Sequence, residues 1–238
     1  MKILIFVITY KASFRVNKIM KEMPNNYLKK FNFKILISDD CSNDDTQGLI
    51  SKIKKNNKNV LTNFNIKNLG YGGNIKKCMN YAYKNNYNYA AMVHGDNQYS
   101  SKYLEKMINL ALETDCAAVS GSRMKKKKSA LDGGMPLYKF IGNIFLTKFF
   151  NILYKTSFTD CHTGYWLYDL KKIKKKWINN FHNGFLFDLD MRLKLVEKKL
   201  PIKEVPIITR YGTERSSIHF KYAFLFVIRS FLNKLIRF

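Results

Sequence analysis

Apolar residues fall in short runs through the first half of the chain, and a stretch with helical spacing follows each run. The runs Ile3–Thr9, Phe33–Ser38, Val60–Asn63, Tyr89–His94 and Ala117–Ser120 predict strands. Between them, Phe14–Met23, Thr46–Lys54, Gly73–Asn85 and Ser101–Leu112 repeat apolar positions every three to four residues and predict helices. Short apolar strands alternating with amphipathic helices predict an α/β fold: a doubly wound, mostly parallel sheet with helices on both faces. Ser42-Asn43-Asp44-Asp45-Thr46 supplies the capping residues for the second helix.

The second half reads differently. Lys125–Lys128 opens a polar, glycine-containing segment that runs to Pro136 and predicts a solvated loop, with closure over an anionic ligand as its functional reading. A long aromatic helix follows over Tyr138–Tyr154, then a strand-like Gly164–Tyr168, a helix over Asp188–Lys198 and a strand over Ile202–Thr209. A basic, aromatic-rich amphipathic helix is expected from about Phe220 to Phe238. The organisation expected is one domain over 1–217, with 1–123 as a ligand-binding half and 124–217 as its partner half. Residues 218–238 form a C-terminal helix.

Composition changes this picture in two ways. A hydrophobic share of 46% over 238 residues is enough for a full core. The net charge of +25 invites a nucleic-acid partner, but the excess is almost wholly Lys, with few of the Arg forks that read phosphates and guanines. Abundant Lys, Asn and Ile together point instead to codon bias, so no nucleic-acid partner is expected. A basic surface still attracts polyphosphates and anionic lipid. Cys41, Cys78, Cys116 and Cys161 are scattered without CxxC spacing, which fits a reduced, cytoplasmic setting. The run Ile3–Ile8 is too short for a secretory core and reads as a first strand, and no window is long enough for a spanning helix.

Candidate chemistry gathers where strands end. His94-Gly95-Asp96-Asn97-Gln98-Tyr99 follows the fourth strand, at the sheet edge where open α/β folds bind ligands. A hard cation such as Mg²⁺ or Mn²⁺ takes oxygen ligands and tolerates few protein ones when a diphosphate completes the shell. Asp96 and Gln98 suit such an ion, with His94 as a candidate third ligand; a plain polar turn is the other reading. Asp39 and Asp40 end the second strand, placed either to accept hydrogen bonds from a base or ribose or to cap the next helix. Asn68-Leu69-Gly70-Tyr71-Gly72-Gly73-Asn74 leads into a helix bearing Lys76 and Lys77, and glycines before a helix N-terminus allow an anion to approach.

Taken in order, Thr9-Tyr10, the Asp39–Thr46 run, the Asn68–Asn74 loop, His94–Tyr99 and Gly121-Ser122-Arg123 resemble family-2 glycosyltransferases of the GT-A fold. Gly133–Asn143, Asp160–Tyr165 and Glu204–Ile207 extend the likeness past residue 200, toward the bacterial dolichyl- and polyprenyl-phosphate sugar synthases. The resemblance implies inverting transfer of a sugar from a UDP- or GDP-linked donor to a polyprenyl phosphate at the cytoplasmic face of the membrane. It implies Thr9, Tyr10, Asp39, Asp40, Gly70 and Lys76 around the nucleotide, and Asp96 holding the metal with Gln98 as helper. Arg123, Lys139 and Asn143 would face the acceptor phosphate, and Arg215, on a loop with Arg210, a phosphate. The chain departs from the family in two places: the usual Asp-x-Asp is His94-Gly95-Asp96, and the usual Gly-Phe-Arg is Gly164-Tyr165-Trp166.

The acceptor decides whether a base is needed. A lipid monophosphate is already ionised near neutrality and needs cations to hold it. A glycan hydroxyl needs a general base, for which Asp188 and Asp190 are the candidates, unless both are acids at a helix start. Three alternatives stand beside the lipid-phosphate reading: transfer to a hydroxyl of a cell-surface glycan, an inactive transferase with His94 in place of an acid, and a basic nucleic-acid-binding protein. The terminal helix is expected to lie on an anionic membrane surface, and the Tyr138–Tyr154 helix to pack in the core. A homo-oligomer or a membrane-protein partner stays open.

Overall fold

Seven strands form one sheet in the order β3-β2-β1-β4-β6-β5-β7. The computed structural model describes residues 1–211 and 221–235. The elements in chain order begin with β1 (Lys2–Thr9), α1 (Ser13–Glu22), α2 (Asn25–Leu28), β2 (Asn32–Asp39), α3 (Thr46–Lys55), β3 (Val60–Phe64), α4 (Tyr71–Lys84) and β4 (Tyr89–His94). Then come α5 (Leu104–Thr114), β5 (Ala118–Ser122), α6 (Lys127–Asp132), α7 (Leu137–Tyr154), β6 (Trp166–Asp169), α8 (Lys175–Asn179), α9 (Phe187–Glu197), β7 (Ile202–Pro206) and α10 (Lys221–Leu235).

Alternation along β1 explains the layering. Ile3, Ile5 and Val7 project to one face and join Val16, Ile50 and Met107 of α1, α3 and α5 in one core. Leu4, Phe6 and Ile8 project to the other and join Ile75, Ile178 and Phe187 of α4, α8 and α9. A third cluster lies outside these layers, where Phe150 of α7 and Phe226 of α10 pack on Leu189 and Leu193 of α9. Helix α9 is therefore apolar on two sides, because it is sandwiched between the sheet and the α7–α10 pair.

The sheet is mostly parallel, as expected, with one exception. β6 runs antiparallel to both neighbours, Met92↔Trp166 on β4 and Ser120↔Trp166 on β5. Inserting it this way brings its starting end, Gly164 and Tyr165, to the edge where β4 and β5 finish. The solvated loop expected over 125–136 is partly wrong: Lys127–Asp132 is helical, as α6. Its Ala130 packs with Met124 and Met135 in a small apolar cluster under the Lys run. The expected strand to Thr209 ends at Pro206, and Thr209 makes only an isolated bridge to Tyr99.

Candidate active site

β1 lies between β2 and β4, so the chain's winding reverses there and the carboxyl ends of these strands frame a crevice. Thr9, Asp39 and His94 end the three strands, with Thr9 paired to Asp39 and Ile8 to His94 in register. Gly95 then turns the chain sharply. A Cβ there would lie 2.6 Å from the Ile8 carbonyl oxygen, so only glycine lets the turn hug β1. The turn carries Asp96 outward, where it is exposed, and its Oδ1 accepts the Gln98 backbone N–H at 2.9 Å.

One side of the crevice is built largely from neutral amides. Ser38 Oγ donates to Asn74 Oδ1 at 2.6 Å, and Asn63 Nδ2 donates to Ser38 Oγ at 2.8 Å. Asn65 Nδ2 donates to Asp40 Oδ1 at 2.9 Å, and so does the Leu69 N–H at 2.8 Å. Asp40 thus anchors the glycine-rich loop to the end of β2. Gly70 caps α4 with φ of 76°, and a Cβ on Gly72 would sit 2.3 Å from the His182 carbonyl oxygen. The loop therefore packs backbone to backbone against the segment before α9. Of the two lysines on α4, Lys77 reaches this network, donating to Asn65 Oδ1 at 2.7 Å. Lys76, the one expected near the nucleotide, reaches Asn183 Oδ1 at 2.8 Å and the Asn179 carbonyl at 3.1 Å. One step along a helix rotates a side chain by about 100°, which separates the two.

Asp39 is fully buried and accepts from Ser42 N–H, Ser42 Oγ, Gln47 Nε2 and Thr9 Oγ1, at 2.6 to 3.2 Å. These four donors order the loop into α3, as a cap would. Tyr10, after β1, stands 50% exposed, with Lys11 Nζ over its ring at 5.3 Å from the centre.

His94 turns inward rather than toward Asp96. Its Nε2 lies 2.9 Å from the Gly164 carbonyl and 3.2 Å from Tyr71 Oη. A carbonyl can only accept, so Nε2 carries the proton. Burial holds the imidazole below its usual pKa, against the opposing pull of Asp96, and keeps it neutral. Tyr71 Oη donates at 2.7 Å to Asp188 Oδ2, while Asp188 Oδ1 is buried without a partner. Burial pushes the Asp188 carboxyl up to about 7, with the Tyr71 hydrogen bond opposing. Asp190, the second candidate base, faces away. Residues two apart on a helix point in nearly opposite directions. Asp190 accepts from Arg229 Nε at 2.5 Å and Nη2 at 2.9 Å, and from His182 N–H at 2.7 Å.

The opposite side is built from charge. Arg123, just past β5, forms a bidentate pair with Asp160: Nε to Oδ2 at 2.7 Å and Nη2 to Oδ1 at 2.8 Å. Asn143 Nδ2 donates to the same Oδ1 at 2.9 Å. Burial opposes ionisation of Asp160, yet Arg123 and these hydrogen bonds hold its carboxyl well below the usual range. Arg123 Nη1 also donates to Tyr211 Oη at 3.3 Å, and Lys139 Nζ lies 5.7 Å from the Tyr211 ring centre. Burial and the nearby Arg123 both lower the Lys139 pKa. Among the described residues Lys139 has no ion-pair partner, so the pocket keeps a positive balance. Arg192, fully buried between Phe158 and Trp166, donates to the Asp160 carbonyl at 3.2 Å and braces this loop. Arg210 pairs with Glu22 at 2.9 Å, and Arg215 lies outside the described residues.

In sequence, Tyr71 and Lys77 stand out only as members of the glycine-rich loop and its basic helix, and Asp160 only within the Asp160–Tyr165 motif; Asn65 carries no signal. The donor set fits a divalent ion only in part. Asp96 offers one carboxylate with a single intramolecular hydrogen bond, and no group of three ligating side chains occurs among the described residues. Such an ion would need ligand oxygens, as a diphosphate supplies, to complete its shell.

Fold and site together define a GT-A-type α/β domain with a strand-end acid beside a cationic pocket. Residues 4–177 match glycosyl transferase family 2, and the chain belongs to that family of nucleotide-sugar-dependent glycosyltransferases. The chain is 32% identical over 122 residues to the low-salt glycan biosynthesis hexosyltransferase Agl6 of Haloferax volcanii. That match covers 50% of this chain and 28% of Agl6, so the chain spans well under a third of that relative's length. Among solved structures, mannosyl-3-phosphoglycerate synthase from Rubrobacter xylanophilus superposes with a TM-score of 0.70 at 12% identity, covering 99% of this chain and 74% of that one. The mannosyltransferase PcManGT from Pyrobaculum calidifontis, in complex with GDP-Man and Mn²⁺, gives 0.63 at 10% identity, covering 99% and 64%. These structural likenesses show the fold.

Proposed function

We propose that this domain transfers a sugar, with inversion, from a UDP- or GDP-linked donor to a polyprenyl phosphate at the cytoplasmic face of the membrane, as a peripheral protein. The observation that carries the acceptor is the Arg123–Lys139–Asn143 pocket. Its one carboxylate, Asp160, is spent on Arg123, which leaves Lys139 to meet an anion. An ionised phosphate attacks without losing a proton, so this pocket needs to hold and orient rather than deprotonate. The Thr9–Tyr10 end of β1, the Asp40–Asn65–Asn74 network and Lys77 form the nucleotide side. Asp96 would hold Mg²⁺ or Mn²⁺, with Gln98 beside it, and the ion would stabilise charge on the departing diphosphate. Support for a metal comes from the exposed acid at the turn and from PcManGT, whose structure contains Mn²⁺.

One observation favours a second reading, transfer to a glycan hydroxyl. Asp188, raised to about 7 and aimed at Tyr71 near His94, has the poise of a general base. The two readings part on the acceptor. Product is expected with a short-chain polyprenyl phosphate and not with oligosaccharides, and Asp188→Asn is expected to retain transfer; the opposite pattern selects the hydroxyl. For the donor, a thermal-shift panel of UDP- and GDP-sugars with and without Mn²⁺ should show a metal-dependent rise in Tm for one of them. Asp96→Ala should abolish that metal-dependent part and slow transfer by about 100-fold or more. An unchanged rate in Asp96→Ala would remove the metal from the account.

A further inference from the structure

Helices α7 and α9 set their residues in different surroundings. α7, expected in the core, buries only its inner face, through Asn143, Thr147, Phe150 and Tyr154. α9 is enclosed on two sides, by the sheet and by the α7–α10 pair. A charge on α9 therefore has little water to face, and an isolated buried charge is costly. Asp190 is balanced by Arg229, and Lys194 by Glu197. Arg192 and Asp188 each keep buried polar atoms without a partner among the described residues.

The Arg192 guanidinium carbon lies 4.6 Å from the Phe158 ring centre and 4.7 Å from that of Trp166. Nη2 donates to the Asp160 carbonyl at 3.2 Å, while Nε and Nη1 find no acceptor among the described residues. Other acids close by are engaged: the Asp160 side chain holds Arg123, and Glu204 accepts the Thr159 N–H and hydroxyl. Asp188 differs. It precedes Arg192 by four residues, so the two share one face of α9, a turn apart. Its Oδ2 accepts from Tyr71 on α4, and its Oδ1 from no described residue. Tyr168 of β6 packs in the same layer, its hydroxyl also buried and unpartnered, and the charges of Asp188 and Arg192 both reach it. His94 of β4 stands behind Tyr71 and is neutral. An unmet cation, an unmet carboxylate oxygen and an unmet hydroxyl thus share one buried place.

We propose that Arg192 is a positioning residue for Asp188: its guanidinium supplies the positive charge that governs when this carboxyl ionises, across a bridge made by the Tyr168 hydroxyl and bound water. Water suits such a bridge, because it accepts from a guanidinium and donates to a carboxylate. The same guanidinium holds the Asp160 carbonyl, so one side chain ties the cleft acid to the loop that grips Arg123. A positive charge nearby favours the carboxylate, so Arg192 works against the burial that pushes Asp188 up to about 7. The link holds whether the acceptor is a phosphate or a hydroxyl, and its test needs no transfer.

The test compares unfolding of the full chain with and without Asp188→Asn from about pH 4 to about pH 9, with Arg192 intact or replaced. With Arg192 intact, the advantage of Asp188→Asn should level off near pH 7. With Arg192→Met the folded carboxyl ionises later, so that advantage should keep growing for about one more pH unit. Arg192→Lys retains the charge and should leave the levelling point within about half a unit of its original place. A mere spacer between Phe158 and Trp166 behaves otherwise: Arg192→Met then changes stability equally at every pH and leaves the levelling point where it was, a result that overturns the proposal. Should Arg192→Met not fold, Tyr168→Phe removes one oxygen of the bridge and carries the test. It should raise the levelling point by a smaller step, and an unmoved point overturns the link.

Discussion

The two sides of the cleft are held together by different physics. On the proposed nucleotide side, Ser38, Asn63, Asn65 and Asn74 share hydrogen bonds around one carboxylate, Asp40. Each bond contributes modestly, and the group is fixed by having many short-range partners. On the proposed acceptor side, one ion pair, Arg123–Asp160, joins segments 37 residues apart, and Asn143 on α7 joins them. A network of amides tolerates loss of one member better than a buried ion pair does, since removing half of such a pair strands a charge. The nucleotide side is therefore expected to be graded in its response to mutation, and the acceptor side all-or-none.

Three variants test this contrast, starting with the largest effect. Arg123→Met leaves Asp160 buried without its counter-ion and should cost about 3–5 kcal/mol in denaturant unfolding. If the contrast holds, the residual folded protein still binds nucleotide, because no member of the Asp40 network is touched. A variant as stable as the parent would show that the pair is not what joins the acceptor side. Gly72→Ala comes next. Its Cβ meets the His182 carbonyl and Phe187, so the segment before α9 must shift, at about 1–3 kcal/mol. Here donor affinity should fall along with stability, since Gly72 opens the helix on which the nucleotide side is built.

Asp188→Asn has the smallest and most conditional effect. In the folded protein this carboxyl titrates near 7, against 3.8 ordinarily. Below both values the acid is neutral in either state and costs nothing. As pH rises through that window the unfolded chain ionises freely while the folded one resists, so the wild type loses stability. The asparagine variant escapes this loss, and its advantage in Tm should grow from about pH 4 to about pH 7 and level off above. A constant difference across that range would mean that Asp188 titrates normally.

The same contrast explains what could be read from sequence. β1 and β4 were predicted within a residue of their observed limits, because apolar runs beside helical spacing mark parallel strands directly. The turn at Asp96 was legible for the same reason: it follows a strand. The direction of β6 was not, since a four-residue strand carries no sign of which way its neighbours run. A run of four lysines masked α6, whose helix depends on Ala130 packing beneath it. The Asp188–Asp190 pair looked equivalent in sequence, yet helical rotation sends one to Tyr71 and the other to Arg229. His94 resembled a ligand by position, and only the arrival of Gly164, from the segment before β6, shows why it points inward.

The grip of Asp190 on Arg229 has a consequence for how the chain can be trimmed. Helix α9 presents one acid to the cleft and, one turn-face away, clasps the final helix with another. Cutting the tail would expose Leu189 and Leu193, orphan an anion and loosen the very helix that seats Asp188. Helix α10 is thus a buttress of α9, and a protein shortened before it would report on a disturbed Asp188 as much as on a missing helix.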